Sequence, residues 1–131
     1  MNARRPVALA IAAAALFASG AHAQPGPAAT GQDCFYHRDT DSFTAADNQT
    51  INLRVGVNRY YQLKLFSPCL DLDFSQAIGM RSRGSNWICA GSANDVEIFT
   101  HSAAGRQRCM VSEVRRLTAE DIAAMPKRDR P

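Results

Sequence analysis

The chain has 131 residues, 15 lysines and arginines against 12 aspartates and glutamates, three histidines and four cysteines. That is one domain's worth of chain. The formal net charge of +3 falls to +1 once the two arginines of the N-terminal segment are set aside, so composition does not describe a basic protein seeking nucleic acid or an acidic membrane surface.

The N-terminus has the layout of a secretory signal peptide. Asn2-Ala3-Arg4-Arg5 is a cationic start, Val7 to Phe17 is an almost uninterrupted apolar run, and Ala21-His22-Ala23 is a small-x-small cleavage site. The apolar run is too short to serve as a stable bilayer anchor, and Gln24-Pro25-Gly26-Pro27 cannot continue a helix. The reading divides the chain into a signal peptide at 1–23, a Pro/Gly/Ala-rich flexible leader at 24–32 and a single domain at 33–131. The expected destination is periplasmic or secreted, with no membrane span after cleavage.

The domain carries all four cysteines, Cys34, Cys69, Cys89 and Cys109. An even number in an oxidising compartment reads as two disulfides, and the wide spacing fits neither a zinc knuckle nor a Cys-x-x-Cys redox pair. Three pairings are open. The preferred one joins Cys69 to Cys89 and Cys34 to Cys109, linking neighbouring strands and tying the first strand to the last.

Strand patterns follow in order. A weak opening strand lies near Cys34 to Arg38 and a short one near Phe43 to Ala46. Thr50 to Gly56 sets Ile51, Leu53 and Val55 against Asn52 and Arg54. Tyr60 to Phe66 sets Tyr61, Leu63 and Leu65 against Gln62 and Lys64. Both have the period-2 pattern of half-buried antiparallel strands, and Gly56-Val57-Asn58-Arg59 supplies a hairpin turn. Further strands are expected at Ile78 to Arg83, Asn86 to Ala90, Asp95 to His101 and Gln107 to Val114. One helix is predicted near the C-terminus, with Thr118 as N-cap, Asp121 three positions on, Ile122 and Met125 as an apolar face, and Pro126 as its stop. The expected fold is mainly β: a small antiparallel barrel or sandwich of six to eight short strands with a C-terminal helix, stapled by disulfides.

Signatures of catalysis are missing: the sequence has no His-Glu-x-x-His, no Gly-x-Ser-x-Gly and no phosphate-binding glycine loop. In "SPCLDLDF", Asp71 and Asp73 would project together if Leu70, Leu72 and Phe74 turned inward over the core. Two such carboxylates could hold a hard cation, but nearby residues supply too few further oxygens. Capping a turn, or pairing with Arg81 or Arg83, is the favoured role, and no metal or other cofactor is expected. His37 and His101 read as surface residues. Tyr60, Tyr61, Phe66 and Trp87 could form an aromatic platform, with burial in the core the favoured alternative.

Taken in order, a leading Cys34, Phe43 and Asp47 before "TINLRVG", then "YYQLKLFSPCLDL", "IGMRSRGSNWICAG", "DVEIFT" and "RCMVSEVRRLTAEDI" resemble a family of small exported bacterial proteins classed as a domain of unknown function. The resemblance covers roughly residues 33 to 124. It implies export, one compact domain and disulfides, and it carries over no activity and no catalytic residue.

Two functions remain in view. The first is a non-enzymatic binding module for an envelope or secreted protein or a glycan, with Arg81, Arg83, Arg106 and Arg108 as its polar contact surface. The second is a small metal-assisted or acid/base hydrolase using Asp71, Asp73 and His101, which requires His101 to approach those carboxylates in space.

Overall fold

A computed structural model of the chain describes residues 33–91, 95–103 and 105–131; the signal-peptide and leader readings, residues 1–32, lie outside them. The elements in order are β1 (Cys34–Tyr36), β2 (Thr40–Asp47), β3 (Thr50–Val55), β4 (Arg59–Leu65), β5 (Gly79–Ser82), β6 (Trp87–Cys89), β7 (Val96–Ser102), β8 (Gly105–Leu117) and α1 (Ala119–Ala124). Six strands form one curled antiparallel sheet, a half-barrel, in the order β2-β3-β4-β8-β7-β5. The ribbon β1-β6 is a separate two-stranded sheet.

The hairpin β3-β4 forms as its alternation dictates. Ile51, Leu53, Val55, Tyr61 and Leu63 are fully buried, and the register pairs Leu53 with Tyr61 and Ile51 with Leu63. Gly56 opens the turn with φ +61, a left-handed conformation that glycine adopts without steric cost. Strand β2 is longer than the sequence pattern suggests. It carries register shifts between Thr40 and Ser42 and between Ala45 and Asp47, and such bulges scramble the alternation by which a strand is recognised.

β8 organises the sheet. Its first half, Gly105–Met110, pairs with β7, and its second half, Val111–Leu117, pairs with β4. An irregularity between Lys64 and Leu65 leaves Ser112 outside the register, and the Ser112 hydroxyl donates to the Lys64 carbonyl at 3.1 Å. Buried positions along β8 therefore run Cys109, Val111, Val114, Leu117, a spacing of two and then three. That slip is why the strand extends past Val114, where a strict period of two loses it.

A two-stranded ribbon is marginal on its own. β1-β6 is held by Phe35 and Ile88, which pair across it and are both buried in the main core. Phe35 packs on Tyr61 with ring centroids 4.5 Å apart. Asp33 is clamped from the same side: the Tyr61 hydroxyl donates to its carboxylate at 2.7 Å and Arg116 donates to it at 2.9 Å. Burial pushes the Asp33 carboxyl up, but those two hydrogen bonds and the nearby arginines outweigh it and hold the group below its ordinary value.

The disulfides correct the preferred pairing. Cys34 bonds Cys89 and Cys69 bonds Cys109, not Cys69 with Cys89 and Cys34 with Cys109. The reason is topological. The strand next to β1 is β6, which sets Cys34 directly opposite Cys89. The chain leaving β4 turns back along the sheet, where the Cys69 N–H donates to the Asn48 carbonyl at 2.7 Å, and there it meets the inward side of β8 at Cys109.

The helix is capped as its sequence indicates. The Thr118 hydroxyl accepts from the Asp121 N–H, and the Asp121 carboxylate accepts from the Thr118 N–H, closing a capping box. Beyond it, a turn at Lys127–Asp129 packs along β2. Asn52, on the outer face of β3, is consequently buried. Its amide donates to the Asp129 carbonyl at 2.9 Å, and its carbonyl accepts from Gln62 at 3.0 Å. Asn52→Ala is expected to cost about 2 kcal/mol in urea unfolding, since both partners lose a partly buried hydrogen bond. Unchanged stability would mean that the C-terminal segment adds nothing to the fold.

Candidate functional site

The strongest concentration of charge lies on the outer face of β5, β7 and β8. In β7, Val96, Ile98 and Thr100 point inward, while Glu97, Phe99 and His101 alternate to the other side. The register then fixes the neighbours: Arg81 of β5 lies opposite Glu97, and Arg108 and Arg106 of β8 lie opposite Phe99 and His101. Arg83 follows β5, its N–H donating to the Asp95 carbonyl at 2.8 Å.

Glu97 is the anchor of this face. Its side chain is 1% exposed although it points away from the core, because the arginines cover it. Arg83 donates to Oε1 through Nε at 3.2 Å and Nη2 at 2.8 Å, and Arg81 donates to Oε2 through Nη2 at 3.0 Å. Arg108 Nε lies 3.9 Å from the same Oε2. The hydrogen bonds from Arg83 hold the carboxyl below its ordinary value. Burial opposes that shift, and the charges of Arg108 and Arg81 add to it.

Phe99 is the second fixed point. The guanidinium carbons of Arg106, Arg108 and Arg81 lie 4.8, 5.6 and 5.7 Å from its ring centroid, within cation–π range. No two of them can therefore stand more than about 11 Å apart. Gly79 sits beside the ring, where a Cβ would come within 3.6 Å of the Phe99 Cβ. Arg81, Phe99, Arg106, Gln107 and Arg108 line a shallow depression of about 250 Å³. Glu97 is not part of its lining; it offsets one of the cluster's positive charges. Three guanidiniums, those of Arg81, Arg83 and Arg108, share one carboxylate here, and among the described residues Arg106 has no carboxylate partner.

The structure thus brings together all four arginines that the sequence offered as a contact surface. Glu97 and Phe99, which hold them, were not singled out by sequence. The available signal was their i, i+2 spacing in "DVEIFT", but nothing local says which strands flank β7.

Asp71 and Asp73 do not form the projecting pair expected. Residues 70–74 are turns rather than strand, so the alternation that would have aligned them is lost. Asp71 has φ +56, a left-handed conformation that aspartate tolerates better than most residues, and its carbonyl accepts from the Ser75 hydroxyl at 2.9 Å. Asn48, with its amide nitrogen turned to the corner, donates to Asp73 Oδ1 at 3.1 Å and to the Cys69 carbonyl at 3.3 Å. The arginine pairing considered for these aspartates is corrected as well, since Arg81 and Arg83 go to Glu97. Of the apolar residues in this stretch Leu72 alone is buried, while Leu70 and Phe74 are exposed.

His101 stands at the end of the arginine face, exposed, opposite Arg106. Among the described residues, no three His, Cys, Asp or Glu side chains come together in a way that could hold a metal, so Asp71, Asp73 and His101 are not gathered as such a group. The aromatic residues divide: Tyr61 is core, whereas Phe66 and Trp87 are exposed. Trp87 meets Tyr36 edge-on at 5.7 Å, and Tyr36 lies against His37 at 5.1 Å. Among the described residues, no helix is long and apolar enough to cross a membrane.

A family model described as a family of unknown function, DUF6491, matches residues 2–131. No curated protein and no solved structure matched the chain.

Proposed function

The chain belongs to this family of unknown function, and from that premise we propose that it is an exported, non-enzymatic binding module. Its contact surface is the outer face of β5, β7 and β8, and it docks there against an anionic patch on an envelope or secreted protein or glycan. The observation that carries the reading is the arginine cluster, four guanidiniums fixed by one buried glutamate and one aromatic ring. Arginine supplies a planar fork of donors and remains charged at any physiological pH, which suits it to recognising oxyanions. Holding the forks on a rigid sheet reduces the side-chain entropy lost on binding. Export is supported by the N-terminal sequence pattern, and the two disulfides suit an oxidising compartment.

The test is capture from envelope extract on immobilised wild-type protein and on the double variant Arg106→Glu, Arg108→Glu. A partner retained by wild type, released by salt and lost with the variant is the expected result. Equal capture by both proteins would overturn the assignment of this face.

A further inference from the structure

We propose that the depression over Phe99 binds a phosphoryl dianion, a phosphate monoester or pyrophosphate group, a reading that rests on the arginine face being the binding surface. Three observations lead there. The first is donor supply. Each guanidinium carries five N–H donors; Arg81 commits one of them to Glu97, and Arg106 commits none to any carboxylate among the described residues. The second is convergence. Arg81 of β5 and Arg106 and Arg108 of β8 bring their guanidinium carbons within 4.8 to 5.7 Å of a single ring, so three forks gather over one spot from the two strands that flank β7.

The third is charge. With Glu97 counted, the four arginines leave a surplus of three positive charges on this face, and three of the four, Arg81, Arg106 and Arg108, line the concave surface of about 250 Å³. A carboxylate offers two coplanar oxygens and one charge, enough for one fork, and Glu97 already fills that role on the Arg81 and Arg83 side. A phosphodiester also carries a single charge. A terminal phosphoryl group presents three acceptor oxygens and close to two charges near neutral pH, matching three convergent forks. Such a group could come from a soluble phosphate ester or from a lipid headgroup, and the recognition chemistry is the same for both.

The full-length chain is titrated calorimetrically with inorganic pyrophosphate, with oligoglutamate, and with vesicles containing either phosphatidic acid (a monoester) or phosphatidylglycerol (a diester). Saturable binding of pyrophosphate, weakened at least about tenfold by Arg106→Ala, is the expected result. Arg106→Lys keeps the charge and loses the fork, so it should fall between. Arg106 does not touch Glu97, so its variants should keep the wild-type melting temperature. Given pyrophosphate binding, retention on phosphatidic acid but not phosphatidylglycerol vesicles assigns the source to a lipid headgroup, and retention on neither assigns it to a soluble ester. Absence of pyrophosphate binding, or binding indifferent to both Arg106→Ala and Arg108→Ala, overturns the proposal. Oligoglutamate binding without pyrophosphate binding removes the phosphoryl assignment and leaves the arginine-face reading standing. Binding of neither, together with capture insensitive to the charge-reversal variant, removes both.

Discussion

Replacing Cys69 and Cys109 together with alanine should lower the unfolding free energy by about 4 kcal/mol from chain entropy alone. Removing Cys34 and Cys89 should cost a similar amount by the same argument, because the sequence separations, 40 and 55 residues, are comparable and the entropy depends only logarithmically on loop size. Packing separates the two. Cys69 is 1% exposed and Cys109 8% exposed, and that bridge lies within the main core cluster. Its loss should therefore cost roughly 1 to 2 kcal/mol more than loss of the ribbon bridge. Against a total stability of about 5–15 kcal/mol for an ordinary domain, either change brings the fold close to its margin. Urea unfolding of the two double variants, with wild type under oxidising and reducing conditions, measures this. A loss below about 1 kcal/mol for the Cys69–Cys109 pair would contradict the argument. Peptide mapping without reduction should recover Cys34 linked to Cys89 and Cys69 linked to Cys109.

Glu97→Gln should have the next largest effect, lowering the melting temperature by roughly 5–10 °C for a domain of this size. The amide fits the same space but removes the one carboxylate shared by Arg81, Arg83 and Arg108, leaving their charges to repel one another. The loss should shrink in high salt, because the guanidiniums are partly exposed and screened. Glu97→Gln also removes part of the acid sensitivity of the fold. The carboxyls of Glu97, Asp33 and Asp121 are all held below their ordinary values of 4.5, 3.8 and 3.8. For Asp121 the causes are first the Thr118 backbone N–H and then its hydroxyl; burial opposes them, and Arg115 adds to the lowering. A carboxyl with a depressed folded-state value stabilises fully above its unfolded value and loses that contribution as pH falls through the folded one. Wild-type stability should hold near neutrality and fall below about pH 4.5. The Glu97→Gln protein should fall less steeply over that range. A variant that melts like wild type at low salt would show that the arginines do not depend on Glu97.

Where the alternation of side chains was regular, the strands could be read directly. Ile51, Leu53 and Val55 against Arg54, and Tyr61, Leu63 and Leu65 against Lys64, give a hairpin because burial of one face is the dominant energy in such a pair. The helix start was equally legible, since Thr118 and Asp121 satisfy one another within four residues. Legibility failed where the backbone departs from regular geometry. The bulges in β2 and at Ser112 of β8 shift the inward face by a residue, and the turn at residues 70–74 exposes Leu70 and Phe74 while burying Leu72. The burial of Asn52 also needed the fold, because its cover comes from residues 125 and 129.

What the sequence determined by itself is therefore local: a mainly β domain with a capped terminal helix, cysteines enough for two bridges, and arginines in the strands that became β5 and β8. The tertiary structure alone decided which cysteines meet and what the arginines surround. Both depend on strand order and register, which arise from pairings among residues distant in sequence. β1 lies against β6 and β8 lies between β4 and β7, so Cys34 faces Cys89. The same order places β7 between β5 and β8, and four arginines from two separate stretches of chain converge on Glu97 and Phe99.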